Sequence, residues 1–241
     1  MQRLIGLSLA GLILVCAARA GDDKAKKNTG GKVFKVEGKL SKDDPADRIR
    51  TSNPHKVHEY KMKAGSVYVV TLVSKDKTLD NYLRIENSQG NNLAEDDDSG
   101  GWPNARLIFK APTSDTYRII ATAYSGVGDY TLTVKKAARK ELQGDLGLAF
   151  SESLRSQYEA RYRGGDKNAD YLLKEASAVL KQVAQNRPEL AGQAKEVQFA
   201  LANLTTGRPA MQIEGEDLDA KKFKLSDYRG KVVVLDFWGN W

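Results

Sequence analysis

The chain has 241 residues, of which 29% are charged and 41% hydrophobic, with a formal net charge of +7 and a sequence pI of about 9.3. That length allows one large domain or two small ones, each able to bury a real core. The surplus of Lys and Arg is spread along the chain, with no basic block interleaved with aromatics, which argues against nucleic acid as a partner.

Residues 1–20 read as a signal peptide: Arg3 closes a short charged start, Leu4 to Val15 is an apolar run, and Ala18-Arg19-Ala20 fits a small-x-small cleavage site. The run is too short and wrongly flanked for a spanning helix, so the expected location is periplasmic or extracellular, with no stable membrane span after cleavage. Val15 stands where a lipoprotein would carry a small residue before Cys16. Loss of Arg3 and Arg19 takes the charge from +7 to +5, and loss of Cys16 leaves a mature chain with no thiol. Residues 21–31 (GDDKAKKNTGG) are polar and glycine-ended, as a flexible linker would be.

From 32 to 136 the pattern is short alternating runs separated by turn residues, as in an all-β sandwich. The predicted strands are Val33 to Leu40, Val57 to Met62, Ser66 to Val73, Asn81 to Glu86, Arg106 to Lys110, Thr116 to Thr122 and Asp129 to Val134. Between them lie turns such as Ser88-Gln89-Gly90-Asn91 and Gly126-Val127-Gly128-Asp129. The acidic run Glu95 to Asp98, followed by glycines, makes Asp80, Asp96 and Asp98 candidate oxygen ligands for calcium, which takes about six to eight oxygens. The alternative is a solvated acidic loop whose Asp and Gly residues make turns. His55 and His58 fall on opposite faces of a strand and are expected to be ordinary surface histidines. Taken in order, Ala64-Gly65-Ser66-Val67-Tyr68, Leu79-Asp80-Asn81-Tyr82-Leu83-Arg84-Ile85, Asp96-Asp97-Asp98-Ser99-Gly100-Gly101, Ala111-Pro112-Thr113 with Thr116-Tyr117, and Gly128-Asp129-Tyr130-Thr131-Leu132 resemble the bacterial pre-peptidase C-terminal domain. The resemblance implies a jelly-roll appendage of a secreted protein, with no catalytic constellation of its own.

Residues 137–206 change period to that of amphipathic helices. Phe150, Leu154, Tyr158 and Tyr162 form one stripe; Leu172, Ala176, Val179, Leu180 and Val183 a second; Leu190, Ala194, Val197, Leu201 and Leu204 a third. Gly164-Gly165-Asp166 and Asn186-Arg187-Pro188 separate them, so a helical spacer of two or three antiparallel helices is expected.

Residues 207–241 are too few to hold a core unaided. Met211 to Gly215 and Phe223 to Leu225 read as hairpin arms across 216–222, Ser226 as the cap of a turn, and Lys231 to Phe237 as a strand buried on both faces of a parallel or mixed sheet. Gly207-Arg208-Pro209-Ala210, followed by the run from Leu225 to Trp241 (LSDYRGKVVVLDFWGNW), resembles the start of a redoxin, the thioredoxin-like family of alkyl hydroperoxide reductases and thiol-specific antioxidants. The match covers about the first quarter of that family's domain and stops before its Cys-x-x-Cys.

The resemblance implies that Trp238 and Trp241 flank an active site and that Asp236 is the buried proton acceptor for the second cysteine. A strand leading into a helix N-terminus suits that chemistry, because unpaired N–H groups stabilise a thiolate. It further implies protein dithiols, disulfides or a thioredoxin-type reductant as partners, and no cofactor. The expected fold is multidomain: an all-β jelly-roll sandwich, a helical spacer, then the first strands of a thioredoxin-like α/β fold. The expected function is an exported thiol-disulfide oxidoreductase or peroxiredoxin-like protein, incomplete without Cys-x-x-Cys or Sec-x-x-Cys beyond Trp241. A fragmentary sequence, a premature stop and a UGA codon read as selenocysteine each account for the ending. The alternative is a non-enzymatic secreted sandwich that binds a ligand, calcium among the candidates.

Overall fold

The computed structural model describes residues 33–217 and 219–236. The signal-peptide and linker readings over residues 1–31 lie outside the described residues, as do Trp238 and Trp241.

Eight strands form two four-stranded antiparallel sheets. They are β1 (Phe34–Leu40), β2 (His55–Met62), β3 (Val67–Ser74), β4 (Leu79–Glu86), β5 (Asn92–Asp96), β6 (Ala105–Lys110), β7 (Asp115–Gly126) and β8 (Gly128–Lys136). One sheet has the order β1-β8-β3-β6 and the other β2-β7-β4-β5. Successive strands alternate between the two sheets except β4 and β5, which pair within one, and these orders are the topology of a jelly roll. The inward-facing residues of both sheets meet in one core, with Leu40, Val70, Leu72, Leu83, Ile85, Phe109, Tyr117, Ile119, Tyr130 and Leu132 all buried. β5 is the strand that the alternation did not predict. It has little apolar content, and its strand character comes from pairing with β4, Leu83 opposite Asp96 and Ile85 opposite Ala94.

Both sheets also have a covered outer face, and this decides where charge is buried. On the first sheet, Val67 of β3 and Ile108 of β6 point outward and pack against α1 (Asp145–Arg163), α2 (Asp170–Asn186) and α3 (Ala191–Asn203). Phe150, Leu154 and Tyr158 of α1, Leu172, Ala176 and Leu180 of α2, and Ala194 and Leu201 of α3 complete this second core. The stripes read from the sequence are therefore the buried faces, apart from Tyr162 at the end of α1 and Leu204 beyond α3, which are exposed. Gly147 lets α1 sit tight. A Cβ there would come within 2.2 Å of the Leu142 carbonyl and 2.6 Å of Val183 Cγ2. α1 also guards the edge strand β6: the Ser153 hydroxyl and the Gln157 amide both donate to the Ile108 carbonyl.

On the second sheet the cover is the connection between β1 and β2, residues 41–54. It explains why β4 is buried at every position from Asn81 to Glu86, although its alternate residues Tyr82, Arg84 and Glu86 face away from the sandwich core.

After Thr205 no described residue is buried. β9 (Glu214–Glu216) and β10 (Lys222–Lys224) form the hairpin, the first arm shorter than expected and the second shifted by one residue, and Leu225 donates its N–H to the Ile213 carbonyl. The turn that follows starts at Leu225, so Asp227 takes the capping role assigned to Ser226: its carboxylate accepts from the Lys224 N–H at 3.0 Å. The Ser226 hydroxyl instead accepts from the Gln212 amide. Residues 231–236 form no strand, and their apolar side chains lie open to solvent, Val232 at 98% and Val234 at 88% exposure. A strand exists only by pairing, and within the described residues no sheet edge pairs with this run.

Candidate functional site

Asp236, the predicted proton acceptor, lies at the exposed end of the run from Val232 to Leu235. The burial that the role requires is not formed by the described residues. Hydrogen bonds and ion pairs made by residues 211–231 run to one another, as in the Lys224–Glu214 pair and the bonds from Gln212 to Ser226. The tether to the helices lies just before. Arg208 pairs with Asp170 at 3.0 Å and stands over the Tyr158 ring, and Gly207 lies against the Tyr162 ring.

The acidic residues of the jelly roll divide into two kinds. Asp96, at the end of β5, organises its own loop: one carboxylate oxygen accepts from the backbone N–H of Ser99 at 3.1 Å and of Arg106 at 2.8 Å. Burial raises its pKa above the ordinary aspartate value, against the pull of those donors. Asp80 sits on β4 where the register shifts between Asp80 and Asn81. Its pKa is also raised, first by burial and then by the negative charges of Asp98 and Asp97, with Trp102 and Arg50 pulling the other way. Its Oδ1 is buried and has no hydrogen-bond partner. Asp80 thus feels the charge of Asp98, while Asp96 is turned to its own loop. Among the described residues no three His, Cys, Asp or Glu side chains are grouped to hold a metal ion.

The charged cluster under the 41–54 strap is what sequence reasoning missed. Arg84, 1% exposed, donates to Asp47 Oδ1 at 2.6 Å and to Glu86 Oε1 at 3.1 Å. Arg48 of the strap reaches the same Glu86 oxygen at 3.0 Å and the Gly90 carbonyl at 2.6 Å, while Arg118 of β7 approaches the other Glu86 oxygen at 3.5 Å. Asp47 Oδ1 also accepts the N–H groups of Ile49 and Arg50. Burial raises the Asp47 pKa, but Arg84 and these N–H groups outweigh it and hold the carboxyl below the usual aspartate range. Next along the strap, Arg50 lays its guanidinium on two rings, 3.8 Å from the Tyr82 centroid and 4.5 Å from that of Tyr124. Alternation places Arg84 and Glu86 on an outer, nominally solvent face, so nothing in the sequence marks them as buried.

The two histidines do lie on opposite faces, but neither is a plain surface residue. The ring of His55 meets the Pro45 carbonyl at 3.0 Å, and that of His58 turns between the sheets to meet the Tyr130 hydroxyl at 2.8 Å. The expectation failed because β2 is an edge strand whose inner face still points into the sandwich.

No family model and no curated protein matches the chain. Among solved structures it is similar to the pre-peptidase C-terminal domain of collagenase from Bacillus anthracis, at 16% identity and TM-score 0.33 over 42% of this chain and 88% of that one. It is also similar to PliG of Aeromonas hydrophila, a periplasmic inhibitor of g-type lysozyme, at 14% identity and TM-score 0.33 over 47% of this chain and 93% of that one. A third is a mutant of the lectin-binding domain of Lectinolysin complexed with Lewis b, at 14% identity and TM-score 0.26 over 47% of this chain and 99% of that one. At such TM-scores none of these likenesses carries an argument; the jelly roll rests on its own strand order. Among the described residues no helix is long and apolar enough to cross a membrane.

Proposed function

We infer that residues 207–241 open a thioredoxin-like redoxin domain and that the protein is an exported thiol-disulfide oxidoreductase or peroxiredoxin-like antioxidant. In this reading the jelly roll and helices precede the redox module. The observation that carries it is the run of apolar side chains from Val232 to Leu235, exposed in this structure and lying within the stretch that resembles a redoxin. Four adjacent apolar side chains in water are unfavourable by about 25 cal/mol for each Å² left uncovered. A central strand of a sheet is what such a run is suited to be.

Asp236 ends that strand, and in the completed domain it is the buried carboxylate beside the second cysteine, with Trp238 and Trp241 walling the first. Residues 21–241 carry no cysteine, so this stretch alone transfers no electrons. The test is reduction of insulin disulfides by the reading frame translated past Trp241. Activity that disappears when the first downstream cysteine or selenocysteine is changed to serine supports the proposal. A downstream sequence without a Cys-x-x-Cys or Sec-x-x-Cys directly after Trp241 overturns it.

A second reading, a sandwich that binds calcium, is favoured by the buried Oδ1 of Asp80, which has no hydrogen-bond partner. Calcium titration followed by calorimetry tests it: heat that vanishes in Asp80→Asn supports the site, and the absence of heat at millimolar calcium removes it.

A further inference from the structure

The outer face of the second sheet ends in a cleft between two aromatic rings, Tyr82 of β4 and Tyr124 of β7, and a guanidinium already lies in it. The geometry points to this cleft as a binding site for an arginine side chain of a partner protein, filled in this structure by the chain's own Arg50.

Three observations carry the assignment. The first is the fit of the occupant: a planar cation 3.8 Å and 4.5 Å from two ring centroids has the chemistry that aromatic faces select. A guanidinium matches this better than an ammonium, because its plane stacks on the rings while its edge stays free to donate.

The second is that Arg50 satisfies only half of the site. Among the described residues it forms no ion pair, although Asp80 lies within its electrostatic reach and keeps a buried oxygen without a hydrogen-bond partner. Glu95, opposite Arg84 across the pairing of β5 with β4, also acts on the phenol of Tyr82. Carboxylate charge is therefore felt at the cleft while its resident cation engages the rings. A guest arginine entering from solvent can stack and pair with Asp80 in one pose, which the tethered Arg50 does not do.

The third is access and independence. Tyr124 is 52% exposed and Trp102, on the loop beside Asp80, is 59% exposed, so the cleft opens outward. The strap that delivers Arg50 is fastened elsewhere, through Asp47 to Arg84, Arg48 to Glu86 and the Ala46–Pro54 bridge. Arg50 can leave the cleft without the strap leaving the sheet.

The test uses the whole chain and two blocked tripeptides, acetyl-Gly-Arg-Gly-amide and its citrulline counterpart, which keeps the shape and lacks the charge. Binding is read by calorimetry and by perturbation of the tyrosine resonances. Arg50→Ala empties the cleft, and the arginine peptide then binds about tenfold tighter than to the wild type, in line with a cation shared between two rings. Adding Tyr124→Ala or Asp80→Asn to Arg50→Ala reverses the gain, and the citrulline peptide binds none of the variants. Should Arg50→Ala lose its fold, Arg50→Lys keeps the charge on the strap, and the arginine peptide displaces the poorer-stacking ammonium with the same dependence on Tyr124. Equal affinity of wild type and Arg50 variants, or equal binding of the citrulline peptide, overturns the assignment and leaves the stack as a packing contact of the strap.

Discussion

Arg84 fixes the strap more than any other side chain, because it is the cation against which two buried carboxylates are balanced. Replacing it with methionine keeps most of the volume and leaves Asp47 without its cation, held only by the Ile49 and Arg50 N–H groups, while Glu86 keeps Arg48 and Arg118. Removing one partner of a buried pair costs about 3–5 kcal/mol. The pH dependence follows from Asp47. Its carboxyl titrates lower in the folded protein than in the unfolded chain. Its contribution is therefore complete above the ordinary aspartate pKa of about 3.9 and fades as pH falls through the folded value. Urea unfolding should show Arg84→Met well below wild type at pH 7, with the gap closing in acid below about pH 4. A gap that stays constant with pH would mean that the methionine variant suffers from packing alone. None of this was legible in the sequence. Asp47, Arg84 and Glu86 read as surface charge, and only the path of the 41–54 connection over β4 makes them interior.

At the scale of elements, sequence patterning revealed what is held by one-sided burial and missed what is held by pairing. β1 and β8 alternate cleanly toward the sandwich core and were predicted, as were β3 and β7, which are buried on part of their outer faces too, and the helices with their glycine and proline stops. β5 was not, since Asn92, Glu95 and Asp96 carry no apolar period and β4 supplies the pairing. The helices are less a spacer than a lid, because α1 and α2 complete a core begun by Val67 and Ile108 on the sheet. The close approach at Gly147 is where that fit is tightest. Gly147→Ala would normally favour a helix, yet here the added methyl meets a backbone carbonyl, and overpacking of this kind costs about 1–3 kcal/mol. A melting temperature lower than wild type, with far-UV helicity unchanged, is the expected result. A raised melting temperature would show that α1 can move away from Leu142 without loss.

Over the whole molecule, buried side chains are found from Leu40 to Thr205 and none among the described residues after that point. Local stability follows buried contact, so the hairpin and the exposed run should open far more readily than the jelly roll and helices. Lys221, Lys222, Lys224, Arg229 and Lys231 place trypsin sites throughout this tail, and the lysines and arginines of the sandwich are present as an internal control. Brief trypsin treatment read by intact mass should cut first between 208 and 231 and leave a product that retains residues 33–205 and melts as the parent does. First cuts within β1 to β8 or within the helices would contradict this division. The same measurement bears on the redoxin reading in a way that activity does not. In a chain extended past Trp241 that supplies the neighbouring strands, the run from Val232 to Leu235 becomes a central strand, and these trypsin sites should become resistant together. Continued cutting at Arg229 and Lys231 in the extended chain would show that no sheet forms around that run. The thioredoxin-like assignment would then fail on structural grounds, whatever the assay for disulfide reduction shows.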